Sequence, residues 1–173
     1  MKLIFILSLF FSLLFAHPHT FIDVHPTLKI KDNNSFTINF KWVIDDMTST
    51  MLMMELDQNG DGKLNQIESN YARDEYFSIF KDYNYYTHIL VNNKKIKFPI
   101  AKNFLASIEN NKICYSFDID LDHNIKNTTF EFGDSDFYVA MILKKEFVDA
   151  GNLSFKVLGV DNDFYYGYKL EFK

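Results

Sequence analysis

Phe21-Ile22-Asp23-Val24-His25-Pro26-Thr27-Leu28-Lys29-Ile30, then Lys31-Asp32-Asn33-Asn34, then Ser35-Phe36-Thr37-Ile38-Asn39-Phe40-Lys41-Trp42-Val43, is the stretch that decides the fold. Apolar and polar residues alternate on both sides of a polar turn, the period-two signature of two half-buried strands joined as a hairpin. The pattern recurs downstream. Residues 85–91 and 94–98 flank Asn92-Asn93, a two-residue turn, and further strands are expected at 104–109, 112–121, 128–132, 137–143, 153–160 and 165–172. Short strands at regular spacing predict a mainly β chain folded as a two-layer antiparallel β-sandwich. Helix is expected chiefly at 46–56 and 66–82, so a helical insertion at about 45–82 interrupts the sandwich between its second and third strands.

Between those two helices runs Asp57-Gln58-Asn59-Gly60-Asp61-Gly62-Lys63-Leu64-Asn65-Gln66-Ile67-Glu68. This is the pattern of an EF-hand calcium loop. Oxygen ligands fall at positions 1, 3, 5, 9 and 12 (Asp57, Asn59, Asp61, Asn65 and Glu68), Gly62 stands at the sharp turn of position 6, and Lys63 offers its carbonyl at position 7. Hard Ca²⁺ suits such a set of carboxylate and carbonyl oxygens. No second loop carries the glycine; the nearest rival, Asp118-Ile119-Asp120-Leu121-Asp122-His123-Asn124, has His123 there and alternates like a strand with an acidic outer face. A lone loop predicts a structural staple, with affinity of about 10⁻⁴–10⁻³ M as in extracellular modules. Met47, Met51, Met53 and Met54 precede the loop. Thioethers suit Cu(I), but their helical spacing favours core or interface filling over a metal site.

The first sixteen residues read as a secretory signal: Lys2 supplies the positive region, an apolar run follows, and Ala16 is a small residue at the cut. The run is too short to span a bilayer comfortably, and no later stretch is long and apolar enough to do so. Cleavage would leave one β-sandwich domain at 17–173 beginning His17-Pro18-His19. A terminal histidine can chelate a metal through its α-amine and imidazole, which suits Ni²⁺, Co²⁺, Cu²⁺ or Zn²⁺. The copper/nickel tripeptide site that needs a deprotonated nitrogen at position 2 is excluded, because Pro18 has no N–H. Its competitor is an exposed terminus with no ligand role.

Charge and composition close off other classes. Net charge is −5, and −6 once Lys2 is removed with the signal, without a basic cluster, which argues against nucleic-acid and anionic-membrane partners. The single cysteine, Cys114, lies in an alternating strand and reads as a buried, inert thiol. No Ser/His/Asp set, phosphate-binding glycine loop or assignable acid/base pair appears, so the chain reads as non-enzymatic.

The order of these motifs resembles the DUF1007 family of bacterial periplasmic proteins. The resemblance rests on His17-Pro18-His19-Thr20-Phe21-Ile22-Asp23, Lys41-Trp42-Val43-Ile44-Asp45-Asp46, the 57–68 loop, Tyr83-Asn84-Tyr85-Tyr86-Thr87 and Asp134-Ser135-Asp136-Phe137-Tyr138-Val139. It implies a periplasmic component of a transport system, often linked to nickel/cobalt permeases. His17 and His19 carry over as candidate transition-metal ligands, with Asp23 a weaker addition; Asp57, Asn59, Asp61 and Glu68 carry over for calcium. Asn59 stands where an acid is common, which weakens the site. The leading expectation is thus a periplasmic metal-binding accessory, binding calcium through one EF-hand and assisting a separate inner-membrane metal permease. A calcium-stapled interaction module for another envelope protein is the alternative. A copper enzyme built on a terminal-histidine brace, completed by His88 or His123, ranks last.

Overall fold

The computed structural model describes residues 19–32, 34–136 and 138–173, so the expected signal at 1–16 and His17 lie outside the described residues. The elements run β1 (Thr20–Asp32), β2 (Ser35–Ile44), α1 (Asp46–Leu56), α2 (Gln66–Ala72), β3 (Thr87–Val91), β4 (Lys94–Ile96), β5 (Lys102–Glu109), β6 (Lys112–Leu121), β7 (Thr128–Phe132), β8 (Val139–Ile142), β9 (Phe155–Asp161) and β10 (Tyr166–Phe172). Two five-stranded sheets result, in the orders β5-β6-β2-β1-β8 and β4-β3-β7-β10-β9.

Alternation decides what each strand buries. Ile22, Val24 and Leu28 of β1, Phe36, Ile38, Phe40 and Trp42 of β2, and Tyr115, Phe117 and Ile119 of β6 all turn inward. The second sheet answers with Ile89, Phe130, Phe132 and Leu170. Rings interlock between the sheets: Phe40 meets Phe130 and Phe132 edge-on at 5.8 Å, and Phe36 meets Phe130 at 6.3 Å. The expected mainly β sandwich, with helix between early strands, is what the chain forms.

One pairing is parallel. β8 returns beside β1 with Thr20 opposite Val139 and Asp23 opposite Ile142, while the other strand pairs are antiparallel. This explains how β1 tolerates Pro26. The even-numbered residues of β1 turn their backbone polar groups toward the β8 side, as the bonds Leu28 N to Asp149 O and Asp149 N to Pro26 O show. β8 pairs only as far as Asp23, so no ladder donor is needed at residue 26.

The helical insertion departs from a single helix over 66–82. After α2 the chain makes a π turn (Arg73–Phe77) and then a 3₁₀ segment (Ser78–Tyr86). Asn84, Tyr85 and Tyr86 take φ of 51°, 52° and 49°, so β3 begins at Thr87 rather than at the expected residue 85. Left-handed non-glycine residues cost of order 1–3 kcal/mol each, and they persist where packing over-determines them. Here the packing is aromatic: Tyr85 lies 5.0 Å from Phe77 and 4.9 Å from Phe98, and Tyr86 lies 5.5 Å from Phe80.

Two buried hydroxyls seat the insertion on the sheet. At the corner where β2 becomes α1, Ser49 donates to the Ile44 carbonyl at 2.9 Å and accepts from the Ile113 N–H at 2.9 Å. On α2, Ser69 accepts from the N–H of Ala106 in edge strand β5 at 2.8 Å. Each supplies a partner that a ladder neighbour would otherwise provide. The π turn brings Phe77 against Trp42, Phe104, Tyr115 and Phe117, at 4.4–6.0 Å. Phe77→Ala should cost about 3–5 kcal/mol by cavity formation, and Ser49→Ala about 1–3 kcal/mol by stranding a buried N–H. Urea unfolding measures both against the exposed control Ile100→Ala; a Phe77 variant as stable as the control would refute the seating role.

Candidate functional site

Asn65 starts α2 with a capping box: its side chain accepts from the N–H groups of Ile67 and Glu68, and the Glu68 carboxylate accepts from the Asn65 N–H at 2.9 Å. The other Glu68 oxygen accepts from Gln58 and Asn59 N–H at 3.0 and 3.3 Å, so position 12 reaches back across the start of the loop. Glu68 is 2% exposed, nearly buried for a carboxylate.

The remaining oxygens turn inward on the loop's own backbone. Asp57 accepts from Asp61 N at 3.1 Å and Gly62 N at 2.9 Å. Asn59 accepts from Asp61 N at 3.0 Å, and Asp61 accepts from Lys63 N at 2.9 Å. Gly62 has φ +77°, which a side chain would strain, so the glycine expected at the sharp turn is there for a backbone reason. The structure therefore gathers Asp57, Asn59, Asp61 and Glu68 around one short loop. Asn65 is turned to the helix as its cap, and Lys63 has its N–H drawn to Asp61. Among the described residues no three His, Cys, Asp or Glu side chains form a metal-holding group. The donor set in this loop is mixed, with three carboxylates joined by an amide and a backbone carbonyl, the hard-oxygen chemistry that Ca²⁺ takes.

The terminal residues are not brought together in the same way. His19 is exposed and stacks on Tyr138 at 5.8 Å, with its N–H donating to the Tyr138 carbonyl. Asp23 shares its face of the strand but stands four residues on, about 13 Å at strand spacing. Nearer Asp23 is His25, whose ring stacks on Phe147 at 4.0 Å. Neither histidine considered for a copper brace stands by His19. His123 follows β6 at the end of its sheet remote from Thr20, and His88 lies on the outer face of the other sheet, stacked on Tyr165.

Other readings resolve plainly. The acidic outer face of β6 is spent on neighbours: Asp120 accepts from Lys31, Thr37 and Lys102, which hold its carboxyl well below the usual range, and Asp118 accepts from Asn39 and Asn103. Cys114 is buried, and burial pushes its thiol up, as befits an inert residue. The methionines divide between core and surface. Met53 packs against the core, but Met47, Met51 and Met54 are 63%, 56% and 82% exposed, because Ser49 and Leu56 occupy the opposite, buried face of α1. No helix among the described residues is long and apolar enough to cross a membrane. The sequence reading gave His88 no surroundings, for its neighbours come from distant parts of the chain: a cavity that also involves Glu131, Asn162 and Tyr165.

The chain is a β-sandwich interrupted by a helix–loop–helix segment between its second and third strands. The chain matches the model of the family described as "Protein of unknown function (DUF1007)" over residues 2–156, and it belongs to that family. It is similar to an uncharacterized protein of Haemophilus influenzae, 30% identical over 161 residues covering 86% of this chain and 74% of that protein. It is also similar to an uncharacterized 15.5 kDa protein from the trpE 3' region of Spirochaeta aurantia, 30% identical over 97 residues covering 54% and 69% of the two chains.

His25 carries a pH signature. Burial lowers its pKa, Asp23 opposes the shift, and Lys41 and Lys144 add to it. The native state therefore holds fewer protons on this ring than the unfolded chain, whose value is about 6.5. Its contribution to stability is present above about pH 6.5 and is lost as pH falls toward the folded value. Titration of the His25 ring by NMR should give a midpoint below 6.5; a higher midpoint would show that Asp23 outweighs burial.

Proposed function

We propose that this protein is a non-enzymatic, calcium-binding accessory of the bacterial periplasm. Its 57–68 loop is an EF-hand that takes one Ca²⁺ through Asp57, Asn59, Asp61, the Lys63 carbonyl and Glu68. The observation that carries this reading is the shape of the loop: Asp57, Asn59 and Asp61 accept from its own N–H groups, the chain turns at Gly62, and Glu68 reaches back to Gln58 and Asn59. Asn65 would contribute through water, as position 9 often does, since its own oxygen caps α2. A bound cation would draw the Asp57 and Glu68 ends of the loop together and so couple α1 to α2. In this reading the ion is a staple for the insertion.

The transport setting is an expectation carried by the order of motifs, with His17-Pro18-His19 at its head. With the signal removed after Ala16, the α-amine and imidazole of His17 and the imidazole of His19 would capture a nickel- or cobalt-type ion for a separate inner-membrane permease. His19 is exposed, with its ring resting on Tyr138, and is accessible to such an ion. Asp23 is too far along β1 to join it without a change in the terminal strand. A second reading, a calcium-stapled interaction module without a transition-metal role, is favoured by the exposed row of Met47, Met51 and Met54, which recur at i, i+4 and i+7 on α1.

Calcium binding has a direct consequence for stability. If the dissociation constant is about 1 mM, 10 mM Ca²⁺ should stabilise the protein by about 1.4 kcal/mol, roughly 4 °C in melting temperature. Glu68→Gln should abolish that increment and retain the sheet's far-ultraviolet signal. A parent melting curve indifferent to calcium would remove the staple.

The transition-metal role separates by calorimetry of the chain starting at His17, titrated with Ni²⁺, Co²⁺, Cu²⁺ and Zn²⁺ in excess Ca²⁺. One-to-one binding that weakens at least tenfold when a methionine precedes His17 is the expected result. Equal affinity in both forms would eliminate the α-amine chelate and leave the interaction module.

A further inference from the structure

The loop between β9 and β10 folds over the outer face of the second sheet and closes a cavity of about 420 Å³, lined by His88, Leu90, Lys95, Glu131, Asn162, Phe164 and Tyr165 among others. Its walls are fixed by several independent contacts. Tyr165 donates to Glu131 at 2.6 Å and stacks on the His88 ring at 4.7 Å. Its other side lies against Gly133, where a Cβ would come within 2.3 Å of the tyrosine ring. The Asn162 side-chain oxygen, Oδ1, accepts from the backbone N–H groups of Phe164 and Tyr165, pinning the loop that carries both rings. Thus Tyr165 is a placed wall, with its hydroxyl committed to Glu131.

Two features of this cavity have no use in the sandwich itself. Both ring nitrogens of His88 are buried without a hydrogen-bond partner, although the residue stands directly opposite Glu131 across β3 and β7. A buried polar group left unpaired in a fold calls for a partner from elsewhere. Phe164, 71% exposed, stands at the mouth as an apolar side chain with little core to serve.

The lining chooses the ligand. Lys95 lies on β4 opposite Leu90 and Glu131 on β7 opposite His88, on either side of β3, with about 10 Å between the outer strand axes. The two charges cancel, so neither a simple anion nor a simple cation answers the site. Burial and the neighbouring Lys95 lower the His88 pKa against the pull of Glu131. Leu90, Phe164 and the Tyr165 ring supply an apolar wall.

We propose that this cavity binds a small zwitterion with an apolar body, of the size and chemistry of an aromatic amino acid, with its carboxylate toward Lys95, its ammonium toward Glu131 and its side chain against Phe164 and Leu90. The volume is at the lower end of small-molecule sites, which suits a ligand of that size. The site is independent of the calcium loop and of the terminal histidines.

The test is an NMR titration of the mature protein with L-phenylalanine, 3-phenylpropanoate and 2-phenylethylamine, read at the His88 and Tyr165 rings. L-phenylalanine should shift both rings in a saturable way, and each singly charged analogue should bind at least tenfold more weakly. Glu131→Gln, which keeps an acceptor for Tyr165, should remove the preference for L-phenylalanine over 3-phenylpropanoate. Lys95→Ala, an exposed change, should remove that over 2-phenylethylamine. Absence of saturable shifts with all three probes overturns the site; equal binding of all three overturns the zwitterion and leaves only an apolar cleft.

Discussion

The ring of Phe77 is the contact on which the insertion depends. It arrives from a π turn and settles between Trp42 of β2, Phe117 and Tyr115 of β6 and Phe104 of β5. Aromatic side chains bury more area than other residues and prefer the tilted and edge-on geometries seen around this ring. Without it, the segment between β2 and β3 would have only short helices, which are marginal in water alone. The buried hydroxyls of Ser49 and Ser69 then set its orientation, because each must meet one particular strand N–H. Hydrophobic contact supplies affinity for the sheet; the hydrogen bonds supply register.

That arrangement explains why the oxygen-lined loop sits where it does. α1 and α2 are each fixed to the sheet at their inner faces, so the twelve residues from Asp57 to Glu68 project from a rigid base. The loop's own hydrogen bonds finish the shaping, with Glu68 serving both as partner in the cap of α2 and as the link back to Gln58 and Asn59. Fixing α1 by Ser49 and Leu56 also dictates that Met47, Met51 and Met54 face away from the protein. The same packing that seats the loop therefore creates the exposed methionine row.

Much of the sandwich was legible because local pattern and burial agree. Phe36, Ile38, Phe40 and Trp42 alternate with polar residues, and that alternation is what the sheet buries. Asn92-Asn93 and Asn110-Asn111 take positive φ at both turn positions, as a two-residue hairpin loop requires, so strand ends there were readable to within a residue. The 57–68 loop was legible for a similar reason: its geometry rests on side chains and a glycine within twelve residues. Helix across 66–82 was legible only to Ala72, since the π turn that follows answers to Trp42 and Phe117 rather than to local preference.

The inventory of strands, the hairpin turns and the local oxygen-rich loop follow from the amino-acid order alone, because each depends on period, turn chemistry or spacing over a few residues. Tertiary structure alone decided the parallel return of β8 beside β1, the outward turn of three methionines and the gathering of His88, Glu131 and Tyr165 around one cavity. Those residues are separated by 34 to 77 positions and share no motif. They meet because β3, β7 and the β9–β10 loop pack together, and strand order is set by the burial of the whole core rather than by any one segment.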